Sequence, residues 1–244
     1  MKTPTLGIAI ALVALGLVGA VVVGSLVQTN TSTKEIVSEI PDPSDFLSMR
    51  PQVVSLPVQD ISKDEKEGLL FMREEEKLAR DVYTTLYEKW RLPIFTNISQ
   101  SEQSHTEAVR TVLVKYTIPD PVSDDSIGKF VNTDFAKLYT DLVAEGQKSE
   151  IDALKAGAFI EDLDIKDLQE RIVQTDNDDI KLVYQNLMKG SRNHLRSFVS
   201  QIESRGDVYK PRYLTQEEFD AIISSPRETG SVGETGAGRG RGRQ

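Results

Sequence analysis

The chain contains no cysteine. Disulfides, zinc–thiolate sites, iron–sulfur clusters and thiol nucleophiles are thereby excluded, and carboxylate and imidazole are left as the groups able to hold a metal ion. Imidazole is scarce too, since His105 and His194 are the only 2 histidines in 244 residues. Basic clusters are missing except at the extreme C-terminus. With a formal net charge of -9 the chain lacks the concentrated positive surface that phosphate backbones require, so no nucleic acid is expected as a partner. Alternating apolar strand runs are nearly absent. What is present is ordinary globular usage, 39% hydrophobic and 27% charged, in a length that allows one or two domains.

The N-terminus is a separate object. Residues 6–27 carry no charge, and at roughly 1.5 Å per residue such a run is about 33 Å long, enough to span a bilayer. A cleaved signal peptide is the rival reading, but its apolar region is normally about 7 to 15 residues. Residues 1–27 are therefore read as a membrane anchor. Lys2 before it and the acidic stretch from Glu35 after it put the bulk of the chain outside the cytoplasm. Residues 28–60, with scattered Pro, Ser, Thr and Asp, read as a flexible stalk, and residues 225–244, rich in Gly and Arg, as a disordered tail. The body, 61–224, is helical by pattern.

A capping-box spacing at Ser62 and Glu65 predicts a first helix running to Trp90, with an apolar seam of Leu69, Met72, Ala79, Tyr83, Leu86 and Trp90. A second is predicted from about Asn97 to Tyr116 with Ile98, Val109 and Val112 on one face. A long connection with a helix over Asp134–Gly146 follows. The third body helix, about Ser149–Val173, has Ile151, Leu154, Ala158, Ile165, Leu168 and Ile172 inward. The fourth, from near Asp176 to Arg205, has Ile180, Tyr184, Leu187 and Phe198 inward. Thr215 and Glu218 form a capping box for a short last helix. Two helices, a long crossover and two more helices predict an all-α four-helix bundle.

The polar residues that interrupt the four seams are Glu76, Glu102 with His105, Glu161, and His194. Each has a bland reading. Glu102 lies three residues after Ser99, a capping-box spacing; Glu76 could pair with Arg80 on the surface; Glu161 stands in an acidic run whose solvated face Asp162 can supply; His194 could be a hydrogen-bonded core histidine. Their matching depth on four helices argues for a shared cation, because several carboxylates in one interior need charge to offset them. Tyr83 reads as a packing residue with an electron relay as the rarer role.

The segments "EEEKLARDVYTTLYEKW", "FTNISQSEQSH", "IEDLDIKDL" and "GSRNHLRSF" resemble a ferritin-like family catalogued as a domain of unknown function. More broadly they resemble the rubrerythrin-like di-iron carboxylate proteins. The resemblance covers roughly residues 60 to 220. It implies a ferritin-like bundle with a metal centre, usually of two iron or manganese ions, held by Glu76, Glu102, His105, Glu161 and His194. The family's second Glu-x-x-His is broken here, since Ser191 stands three before His194. Asp164, one turn past Glu161, is the nearest substitute, and a single-ion site also fits the remaining set. Glu161 is expected to bridge. The implied activity is oxidoreduction with oxygen or peroxide, of peroxidase or ferroxidase type. Its alternative is a non-catalytic envelope module. The expected partners are the membrane, through the N-terminal segment, an electron donor, and a second copy in a homodimer.

Overall fold

The computed structural model describes residues 44–230, with side chains described from Arg50. Among them run seven helices and no strand: α1 (Ser44–Ser55), α2 (Lys63–Trp90), α3 (Pro93–Lys115), α4 (Thr133–Gly146), α5 (Glu150–Gln174), α6 (Asp178–Ser204) and α7 (Gln216–Ser224). Residues 6–27, read above as an anchor, lie outside the described residues. Among those described, no helix is long and apolar enough to cross a membrane.

Local chemistry sets the ends of α2 and α3. Ser62 Oγ accepts from the Glu65 amide at 3.2 Å while Glu65 Oε2 accepts from the Ser62 amide at 2.8 Å, closing the reciprocal cap. At the other end Arg91 takes the left-handed conformation (φ 54) that stops the helix. Pro93 then opens α3, upstream of the predicted start near Asn97. A proline is at home there because the first amides of a helix have no intrahelical acceptor to lose. Ser99 is thus inside the helix, and Glu102 is not a cap.

Short links make α2 and α3, and likewise α5 and α6, antiparallel neighbours. Glu65 also accepts from Thr175 Oγ1 and, at 3.4 Å, from the Asn177 amide, which ties the α5–α6 turn to the start of α2. Lys115 at the end of α3 reaches Asp179 at the start of α6, 2.5 Å away. One end of the body therefore gathers the beginnings of α2 and α6 with the ends of α3 and α5. At the opposite end Trp90 Nε1 donates to the Gly146 carbonyl at 2.8 Å. The connection carrying α4 has to travel the length of the body between them.

That connection explains the charged run on α2. Glu74 accepts from the amides of Val131 and Asn132, Asp81 accepts from the Gly128 amide at 2.9 Å, and Lys77 donates to the Ser126 carbonyl at 2.9 Å. Arg80 pairs with Asp81 and Asp125, each at 2.8 Å. The crossover covers the outer face of α2, so Arg73, Glu74, Lys77, Arg80 and Asp81 are buried and paired rather than solvated.

Two expectations about the flanks change. Within the segment 28–60 read as a flexible stalk, Ser44–Ser55 is helical and Val53 is fully buried. Lys115 donates to the carbonyls of Val53 and Leu56 at 3.0 and 2.9 Å, serving groups that the end of α1 leaves open. Within 225–244, read as a disordered tail, Glu228 accepts from Arg192 Nε at 2.7 Å and its amide donates to Asn193 at 3.0 Å, so the chain just past α7 is held on α6. Residues 231–244 lie outside the described residues.

The apolar interior falls into two clusters. One contains Leu78, Val82, Leu86, Phe95, Ile98, Leu195 and Phe198. The other contains Leu69, Met72, Val109, Val112, Leu168, Val183 and Leu187. The polar residues that interrupt the seams lie between these clusters along the chain on α2, α3 and α6.

Candidate metal centre

Glu76 from α2, Glu102 and His105 from α3, Glu161 from α5 and His194 from α6 come together in the interior, none more than 9% exposed. His105 Nδ1 lies 2.8 Å from Glu102 Oε2 and 3.2 Å from Glu76 Oε2. His194 Nδ1 lies 2.7 Å from Glu102 Oε1 and 3.5 Å from Glu161 Oε2. Two groups of potential ligand atoms result, Glu76–Glu102–His105 and Glu102–Glu161–His194, and each could hold a metal ion. Glu102 belongs to both. The expectation that Glu161 is the bridging carboxylate is corrected on this point, since Glu161 reaches one group only. Glu102 instead stands between the two imidazoles, 2.8 and 2.7 Å from their Nδ1 atoms.

The bland readings of Glu76 and Glu161 fail on contacts, whereas His194 is a buried histidine within hydrogen-bond distance of Ser101, as its bland reading has it. Arg80 is engaged by Asp81, Asp125 and Gln103, so it is not a surface partner for Glu76. Asp162 does not face solvent. It is fully buried and accepts from Tyr209 Oη at 2.9 Å and from the amides of Arg212, Tyr213 and Leu214. It anchors the approach to α7, while Glu161 turns inward.

Four residues that the seams did not single out, and Tyr83 from the first seam, complete this interior. Ser101 Oγ lies 3.2 Å from His194 Nε2 and steadies the ring from its far side. Gly190 backs His105 so closely that a Cβ there would sit 2.6 Å from the ring's Cε1. A glycine inside a helix costs stability, so Gly190 was a readable signal of close approach. Gly157 similarly makes room for Phe198. Glu75 is buried facing the carboxyl of Asp167 from α5, with burial and that neighbour pushing it well above its ordinary range, and nothing in the sequence marked it. Tyr83 donates to Glu161 Oε1 at 2.5 Å, so this packing tyrosine also orients a carboxylate. The two imidazole rings stack with centroids 5.6 Å apart.

Electrostatics describe a cluster short of positive charge. Burial opposes ionisation of Glu102, yet His105 and His194 outweigh it and hold the carboxyl well below its ordinary range. Burial pushes Glu76 up to about 8 against the attraction of His105. It raises Glu161 and, together with the charges of Glu76 and Glu161, Asp164. Burial would strip the proton from both histidines, but Glu102 and Glu76 pull His105 well above its ordinary value, and Glu102 and Glu161 pull His194 up to about 9. Protons thus supply the compensation that a cation would supply.

The donor set fits a cation. Glu76 Oε1, Glu102 Oε1, Asp164 Oδ1 and His194 Nδ1 are buried without a hydrogen-bond partner. His194 Nδ1 and Glu102 Oε1 approach to 2.7 Å without the alignment of a hydrogen bond, as two donors directed at a third point do. Carboxylate oxygen and imidazole nitrogen together are a donor set that divalent transition-metal ions accept.

Residues of this chain align over 178 positions, 61% identical, with the uncharacterized protein MJ0754 of Methanocaldococcus jannaschii, covering 73% of this chain and 96% of that protein. The crystal structure of hypothetical protein MJ0754 is similar with a TM-score of 0.71 at 62% identity, covering 71% of this chain and 99% of the other. Residues 65–226 match the family described as "Uncharacterized protein domain (DUF2202)", and the chain belongs to that family.

Proposed function

We propose that the chain is a ferritin-like metalloprotein, anchored in the membrane by residues 1–27 with its helical body outside the cytoplasm. Its centre holds two iron or manganese ions and performs redox chemistry on oxygen or peroxide. The observation that carries this reading is Glu102, whose two oxygens face two different imidazoles at 2.8 and 2.7 Å. The order of helices supports it, with two antiparallel pairs joined by a connection that runs the length of the body. The uncharged run of residues 6–27 supports the anchor.

In this reading Glu76, Glu102 and His105 hold one ion, and Glu102, Glu161 and His194 the other. Ions of this type exchange electrons with oxygen or peroxide. The protein's part is to fix the ligands and keep the interior dry. Ser101 and Tyr83 orient His194 and Glu161, and the two apolar clusters exclude bulk water. Because the histidines must lose their protons to bind, loading releases protons and strengthens as pH rises.

The test is to load the full-length protein with iron(II) without oxygen and then add peroxide. A peroxide-dependent change in the visible and near-ultraviolet spectrum is expected. A protein that stays metal-free and fully stable would favour the non-catalytic envelope module instead. Mass spectrometry of the native N-terminus reads the anchor, which a mature chain beginning near residues 21–28 would refute.

A further inference from the structure

We propose that Asp164 is the fourth carboxylate of the centre and that Ser191 positions it, so that a ligand absent from α6 is supplied from α5. This rests on the two-ion reading above. The spacing comes first. Residues three apart on a helix share a face, and three helices use that spacing here: Glu102 with His105 on α3, Glu161 with Asp164 on α5, and Ser191 with His194 on α6.

Contacts then link the second and third pairs. Asp164 and Ser191 are both buried, and the Ser191 hydroxyl donates to Asp164 Oδ2. The same hydroxyl is 2.9 Å from the Leu187 carbonyl. It has one proton for two acceptors, and once a bound cation ionises Asp164 the carboxylate is the stronger of them. Asp164 Oδ1 has no partner, although Glu76, Glu161 and Glu102 all lie near enough to act on its charge. Asp162, two residues earlier and away from the cluster, has both of its oxygens served.

Charge closes the argument. Three carboxylates and two neutral imidazoles leave two divalent ions with one uncompensated positive charge in a dry interior, whereas Asp164 brings the sum to zero. The pair is also matched in size. A glutamate at 191 would have to share space with the Asp164 carboxylate, and serine leaves that space free.

The test is a transplant. Ion content and affinity are measured on full-length protein titrated with cobalt(II), whose visible absorption reports the ligands. The wild-type chain is expected to take up two ions. Asp164→Ser should weaken one of them by roughly 10- to 100-fold, as loss of a supporting or ligating group does. Adding Ser191→Glu to Asp164→Ser should restore both, because the carboxylate returns from the other helix. Ser191→Ala, which leaves the carboxylate but removes its donor, should keep two ions with one bound several-fold more weakly. Two ions at unchanged affinity in Asp164→Ser would overturn the proposal. So would a double variant that folds, by circular dichroism, yet does not recover the second ion. Should Asp164→Ser itself not fold, unchanged affinity in Ser191→Ala overturns the positioning role. A wild-type chain that binds no ion refutes the two-ion reading itself, a result distinct from all of these.

Discussion

Gly190→Ala separates metal binding from stability. The added methyl would meet His105 at 2.6 Å from Cε1 and 2.7 Å from Nε2, closer than packed atoms approach. His105 cannot give way freely, because its Nδ1 is fixed between Glu102 and Glu76 at 2.8 and 3.2 Å. Overpacking of this kind costs about 1–3 kcal/mol. Replacing a glycine in a helix interior by alanine returns about 1 kcal/mol. The net change is a loss of roughly 0–2 kcal/mol, a few degrees in melting temperature for a domain of this size. Metal affinity should suffer far more, because ring rotation withdraws His105 from the Glu76–Glu102 group, and displaced ligands cost about 10- to 100-fold. Thermal melts of the metal-free protein and metal titrations of the same preparation read the two effects. Wild-type affinity in Gly190→Ala would refute the reasoning, since it would mean that the position of His105 does not matter to the ion.

Melting temperature of the metal-free protein should fall between pH 6 and 9. Glu76 holds its proton up to about 8 and His194 up to about 9 in the folded chain, so the folded state binds more protons than the unfolded one across that window. The His194 contribution is complete below its unfolded value of about 6.5 and is lost as pH rises through about 9, and the penalty on ionised Glu76 sets in from its unfolded value of about 4.3 and is complete by about 8. A flat profile would contradict the buried, proton-compensated cluster; bound metal should flatten it. Asp162→Ala should lower stability by about 3 kcal/mol or more while leaving metal content unchanged, because it deserts Tyr209 and three amides but touches no candidate ligand. Metal loss with intact folding would show that Asp162 belongs to the centre. Tyr83→Phe should cost about 0.5–1.5 kcal/mol and weaken metal retention during dialysis, since the donor to Glu161 goes and the packed ring stays. Unchanged retention would limit Tyr83 to packing.

Much of the helical frame was legible because its determinants are local. The Ser62–Glu65 and Thr215–Glu218 caps form as their spacing predicts. Leu69, Met72, Tyr83, Val109, Leu154, Ile165, Leu187 and Phe198 are buried as their spacing on the helices requires. Trp90, Ile151 and Ile172 are only partly covered, being near helix ends. What escaped depends on partners distant in sequence. Asp162 looked like a solvated acid because its partners are amides some fifty residues away. The charged run on α2 looked like a surface because the crossover that covers it carries little apolar signal. Helix α1 was missed because Pro51 and a weakly patterned sequence hide it. The depth of the five candidate residues could be read from the seams, but which carboxylate stands between the histidines depends on helix rotation, which seven-residue spacing does not specify.

The central claim is one centre of two ions sharing Glu102, and the most direct measurement of it is metal per chain in the wild type beside Glu102→Gln and Glu161→Gln. Geometry predicts two ions for the wild type. Glu161→Gln removes a carboxylate from one group and should leave one ion tightly held, whereas Glu102→Gln neutralises the carboxylate common to both groups and should leave almost none. A wild-type chain without metal, or a Glu102→Gln variant that holds as much as Glu161→Gln does, would contradict the account.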